Sequence, residues 1–127
     1  MPTCLYFVCV DGVLDKFGTT TDSVETRGKK GAGKSRYTKT YFERWLPRKI
    51  SLPVEKVLLE LTRDQFDAAA AVRAGLWEWG GWTETRTGLD VDFWKSKILE
   101  LIDECSEIGY QKFLVKYVDQ AFVLSGS

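Results

Sequence analysis

Two hydrophobic periods alternate along this chain. Residues 4–10, CLYFVCV, form an apolar run rich in β-branched and aromatic side chains, and Asp11-Gly12 follows it. That dipeptide suits a two-residue hairpin turn, so the pattern predicts a strand over 4–10 that returns over 13–18. Asp22 with Glu25 three positions on is a capping-box spacing and predicts a short helix, stopped early by Gly28, Gly31 and Gly33. Residues 37–46 alternate as a third strand, closed by Pro47. From Pro53 the spacing of Val54, Val57, Leu58 and Leu61 is helical, although 57–59 also reads as a strand core. Thr62 with Gln65 predicts a fresh cap and a helix over 64–74, followed by a glycine and tryptophan loop over 75–82. Trp94, Ile98, Leu101, Ile102 and Cys105 share one helical face from about Asp92 to Gly109. Residues 110–124 are apolar and fit a strand or a helix.

This order predicts a single α+β domain over 1–127, with a small, mainly antiparallel sheet that starts with a β-hairpin and is flanked by helices. No apolar run approaches the roughly 18 residues of a membrane span. Met1-Pro2-Thr3 lacks the charged-then-apolar start of a secretory signal, so the expectation is a cytoplasmic protein with no membrane partner. Cys4 and Cys9 are five apart, which puts them on opposite faces of one strand; with Cys105 they read as reduced, small apolar groups.

Histidine and asparagine are absent. This excludes Ser-His-Asp and Cys-His catalysis and histidine-containing zinc sites, and three scattered cysteines make no zinc site of their own. Any catalysis must run on Tyr, Lys, Arg, Asp or Glu.

Eighteen Lys and Arg balance eighteen Asp and Glu, yet the charge is unevenly spread. Residues 27–49 hold nine bases against Glu43 alone. Such an excess is an electrostatic footprint for nucleic-acid phosphate, and Lys29, Lys30, Lys34, Arg36 and Lys39 are its candidate contacts. Tyr37, Tyr41, Phe42 and Trp45 are interleaved with it as stacking surfaces often are. Residues 28–35 also fit G-x-x-x-x-G-K-[ST], but the polar residues before them do not read as the buried strand a phosphate loop requires. A basic loop with a chance match is the better reading. Trp77, Trp79 and Trp82 are expected to pack against the last helix rather than to stack on bases.

The predicted hairpin brings Tyr6 close to Lys16 on paired strands. A lysine beside a phenol favours phenolate, which offers a base where histidine is absent.

At these residues the chain resembles the GIY-YIG endonuclease family. Cys4-Leu5-Tyr6 is similar to the GIY element and Lys16-Phe17-Gly18 to the YIG element in its lysine-bearing form; residues 19–27 resemble the turn and helix that present the family's arginine, here Arg27. The likeness is densest over 4–27 and looser to about Arg86. It implies metal-dependent hydrolysis of DNA phosphodiester bonds, as in phage-type members acting in a bacterial host cell. Tyr6 would be the general base, Lys16 its partner, and Arg27 the phosphate ligand, with one glutamate on a single Mg²⁺ (or Mn²⁺). Glu55 best matches that glutamate, then Glu60, then Glu84. Lysine in place of the second tyrosine, and the missing histidine and asparagine of the family pattern, point to the alternative of a catalytically inactive nucleic-acid-binding module of the same fold. An interaction or inhibitor protein with a basic binding loop is the reading from another class.

Overall fold

A computed structural model describes residues 2–29, 35–77 and 79–118. β1 (Pro2–Val10) turns through Asp11, Gly12 and Val13 into β2 (Leu14–Thr20), a three-residue connection where a two-residue turn and a strand over 13–18 were expected. Asp11 and Gly12 have positive φ, 53° and 74°, the left-handed backbone that makes the strand reversal tight. The short α1 (Val24–Gly28) leads to β3 (Tyr37–Pro47), and α2 (Arg48–Leu61) follows at once. After a 3₁₀ turn and α3 (Ala68–Arg73), a second 3₁₀ turn over Trp82–Glu84 enters the two-residue β4 (Thr85–Arg86). α4 (Val91–Ile108) and α5 (Tyr110–Tyr117) complete the α+β fold.

The sheet has the order β3-β1-β2-β4 and is antiparallel throughout. β1 lies between two neighbours and is covered on both faces, which is why it reads as a continuous apolar run and not as an alternation. Leu5, Phe7 and Phe17 face a core formed with Val54, Val57 and Leu58 of α2, Ile98 and Leu101 of α4, and Phe113 of α5. Cys4, Tyr6, Val8 and Val10 face the other way, onto Val24, Tyr37, Ala71, Leu76 and Trp79.

Several boundaries differ from the sequence reading. Ser23, not Asp22, caps α1, its hydroxyl accepting from the Thr26 amide. α2 begins at Arg48, so Pro53 lies inside it and is fully buried. Proline has no N–H for the carbonyl four residues back, and the Cys105 thiol donates to that Lys49 carbonyl at 3.9 Å. The helix expected over 64–74 is divided: Thr62 turns its hydroxyl back to the Leu58 carbonyl, and Asp67 caps α3 instead. α4 starts from Asp90, whose carboxylate accepts from the Phe93 amide. β4 was not anticipated; two residues are too few for a periodic signal. The tryptophan loop does not pack on the last helix. Trp79 is buried edge-on against Tyr37 at 5.8 Å, Trp82 lies on Phe66, and Trp77 is exposed; Trp94 of α4 meets Phe17 instead. The apolar segment after Gly109 is helical through Tyr117, and residues 119–127 lie outside the described part. No helix among the described residues is long and apolar enough to cross a membrane.

Candidate active site

In the β1–β2 register Tyr6 faces Gly18 and Val8 faces Lys16, so Tyr6 and Lys16 are diagonal neighbours on one face of the sheet. The geometry meets the expectation. Lys16 Nζ donates to Tyr6 Oη at 3.4 Å, to the Phe17 carbonyl at 3.3 Å and to Glu84 Oε1 at 3.0 Å. Tyr6 Oη is also 2.9 Å from Tyr37 Oη, the hydroxyl of the first residue of β3. Two glycines make room for these long side chains. A Cβ on Gly18 would overlap the Tyr6 hydroxyl, and one on Gly81 would lie 2.8 Å from Lys16 Cε.

Both Tyr6 and Lys16 are almost wholly inaccessible to water, and burial dominates their ionisation. It lowers the Lys16 ammonium below the usual lysine range, against which the Glu84 carboxylate holds the charge in place. Tyr6 is pushed far above the ordinary phenol range, first by burial and then by Tyr37, with Arg27 the positive charge that draws it down. Lys16 therefore does not turn Tyr6 into a phenolate in the resting protein: desolvation outweighs its attraction, and its charge is committed to Glu84. Tyr37 is raised as well, by burial, but its hydrogen bond with Tyr6 acts in the opposite direction.

Arg27, in the last turn of α1, is half-buried and its charge reaches Tyr6, Tyr37 and Lys16. Glu55 projects from α2 toward the same place. Its carboxyl is pushed up to about 7, by burial first and then by the charge of Glu84, with Lys16 and Thr19 opposing.

Of the three glutamates, Glu55 and Glu84 join the cluster and Glu60 does not. Residues five apart on a helix point about 140° away from each other. Glu60 is thereby turned to the far side of α2, where it pairs with Arg63. What the sequence did not single out is Arg86. It is 5% exposed and donates to Thr62 Oγ1 at 2.9 Å, to the Leu59 and Thr83 carbonyls at 3.1 Å and to the Thr85 carbonyl at 2.9 Å. These bonds tie the turn carrying Glu84 to the end of the helix carrying Glu55. Its only trace in the sequence is a lone arginine in a polar stretch.

The basic segment is less free than its composition suggests. Lys29 pairs with Glu25 at 3.3 Å, Arg36 with Asp11 at 2.8 Å, and Lys39 lies over the Tyr41 ring at 5.6 Å. Lys30 and Lys34 lie outside the described residues. The G-x-x-x-x-G-K-S stretch is preceded by helix α1 and followed by strand β3, the reverse of the strand-then-helix setting of a phosphate loop.

Glu55 and Glu84 are the carboxylates of this cluster, and the charge of Glu84 raises the Glu55 carboxyl. Among the described residues no group of three or more His, Cys, Asp or Glu is assembled to hold a metal. Mg²⁺ does not need one, since it keeps several waters and takes one or two carboxylates together with substrate phosphate oxygens. Comparison of this chain with protein-family models, with curated proteins and with solved structures finds no match in any of the three.

Proposed function

We propose that this protein is a metal-dependent endonuclease that hydrolyses DNA phosphodiester bonds, in line with the resemblance of residues 4–27 to the GIY-YIG family. The observation that carries this reading is that Tyr6, Lys16, Arg27 and Glu55, drawn from β1, β2, α1 and α2, act on one another electrostatically at one site. Ordinary packing has no reason to bring a phenol, an ammonium, a guanidinium and a carboxylate together in a largely buried place.

Arg27 binds the reacting phosphate and offsets the charge that grows on it as water attacks. As the resemblance implies, Tyr6 would be the general base on that water, a role that requires its buried phenol to lose its own proton first; Lys16 and Arg27 are the cations that favour the ionised form. Glu55, with Glu84 beside it, would hold the Mg²⁺, which when bound supplies Lewis-acid stabilisation of phosphate and leaving oxygen.

The test is nicking of supercoiled plasmid by the purified chain in Mg²⁺ or Mn²⁺, with chelator as control. Cleavage that is lost in Arg27→Ala and in Glu55→Gln, with DNA binding retained in the latter, is the expected result. A chain that binds DNA with steep salt dependence yet cleaves no duplex, branched or single-stranded substrate would be the inactive binding module. One that ignores DNA would be the interaction protein.

A further inference from the structure

Arg27 has a second side. Away from Tyr6 it lines an open groove of about 340 Å³ at the end of β1 and β2, together with Thr3, Thr19, Thr20, Thr21 and Arg48. Leu52 completes the lining, which holds two arginines and four threonines and no acidic residue. Among the described residues neither Arg27 nor Arg48 forms an ion pair, whereas Lys16, Lys29, Arg36, Arg63 and Lys116 each have an acidic partner. Two of the threonine hydroxyls are tied in place: Thr3 to Ser51 and Thr20 to the Asp22 amide. The groove is thus a mixed polar and apolar surface carrying two arginines that, among the described residues, form no ion pair.

Its size bears on the ligand. About 340 Å³ is the room of roughly ten waters at about 30 Å³ each, more than a single phosphate group fills and enough for a sugar and phosphate unit. Arg27 is the residue it shares with the proposed active site. A strand whose reacting phosphate lies against Arg27 beside Tyr6 must carry its backbone onward, and the groove is an outlet of matching charge.

We propose that this groove is a second phosphate subsite, in which Arg48 and the hydroxyl of Thr21 hold the DNA phosphate next to the one that is cleaved. The proposal rests on the nuclease reading for the identity of the neighbouring phosphate. The groove itself is testable without it. Arg48 is exposed, so its replacement leaves the core untouched.

Binding of a labelled short duplex is measured against salt for wild type, Arg48→Ala and Arg48→Lys, with circular dichroism as a folding control. Loss of one phosphate contact should lower the slope of log K against log salt by about 1 in Arg48→Ala, and lysine should restore it. In a cleavable duplex, a neutral methylphosphonate at the position flanking the cut should weaken wild-type binding several-fold and leave Arg48→Ala unchanged. An unaltered salt slope in Arg48→Ala, or equal methylphosphonate effects in both proteins, would overturn the subsite. A wild type that never cleaves while Arg48→Ala still loses one unit of slope would retain the groove and reject the nuclease.

Discussion

The Lys16 ammonium, 1% exposed, lies 3.0 Å from Glu84, a residue 68 positions away in sequence. A buried lone ammonium is costly, and this carboxylate is what allows it to stay charged beside Tyr6. Glu84→Gln should therefore destabilise the fold by about 1–3 kcal/mol at neutral pH, a discounted figure because Glu84 is 35% exposed. Burial lowers the folded-state pKa of Lys16, so the folded protein sheds its proton before the unfolded chain does, and stability is gained as pH rises toward the ordinary lysine range. The deficit of Glu84→Gln should shrink over that alkaline window. Urea unfolding at pH 7 and pH 10 checks this, and a deficit that grows with pH would contradict it.

Gly18 is required by its neighbours and not by its backbone. A Cβ there would overlap the Tyr6 hydroxyl and lie 2.8 Å from Lys16 Nζ, so Gly18→Ala should displace both groups and cost about 1–3 kcal/mol. Gly88→Ala, strained by a φ of 70° but with open space around the new methyl, should also destabilise yet leave cleavage intact in the folded fraction. Thermal melts with activity normalised to folded protein separate the two effects.

The phenol pair predicts a rate profile. Tyr6→Phe keeps the ring packing and should lower cleavage by roughly 10² or more if Tyr6 removes the proton. Because burial raises Tyr6, the wild-type rate should go on climbing above pH 9. Tyr37→Phe removes the hydroxyl that Tyr6 bonds and should change the shape of that climb. A plateau already reached at pH 8 would assign the proton transfer to Glu55 instead.

Glu55 makes a separate prediction in metal-free buffer. Its carboxyl is raised to about 7, above the usual glutamate value, so the folded state binds an extra proton between about pH 4.5 and 7. That contribution is present below pH 4.5 and is lost as pH rises through 7. Glu55→Gln should accordingly be more stable than wild type at pH 8, by about 1–2 kcal/mol after discounting for residual solvent, with no advantage at pH 4. Mg²⁺ should stabilise wild type at pH 8 and not the variant.

Much of the fold can be read locally. The apolar run over 4–10 with Asp11-Gly12, the alternation ended by Pro47, and the apolar face ended by Gly109 each specify an element through near-neighbour rules. The strand reversal at Asp11-Gly12 is local, but its register is not: a two-residue turn would pair Val10 with Val13 and set Tyr6 and Lys16 on opposite faces, whereas the three-residue connection pairs Val10 with Leu14 and puts both on one face. Elements with competing local choices were decided elsewhere. Pro53 lies inside α2 because packing against the sheet and α4 outweighs one missing backbone bond, and Asp67 rather than Thr62 caps α3 because the Thr62 hydroxyl is taken by the Leu58 carbonyl and by Arg86.

The site divides in the same way. The residue types available for chemistry are set by the sequence alone, through the absence of histidine. The tertiary structure brings Glu55 and not Glu60 to the cluster, pairs Tyr37 with Tyr6, sets Tyr6 and Lys16 on one face, and carries Glu84 to Lys16 on a turn anchored by Arg86. It also decided the protonation of the phenol, since burial and not the neighbouring lysine dominates Tyr6. The physical reason is common to these cases: helix orientation, long-range ion pairs and desolvation depend on which distant elements cover a residue, and no local pattern encodes that cover.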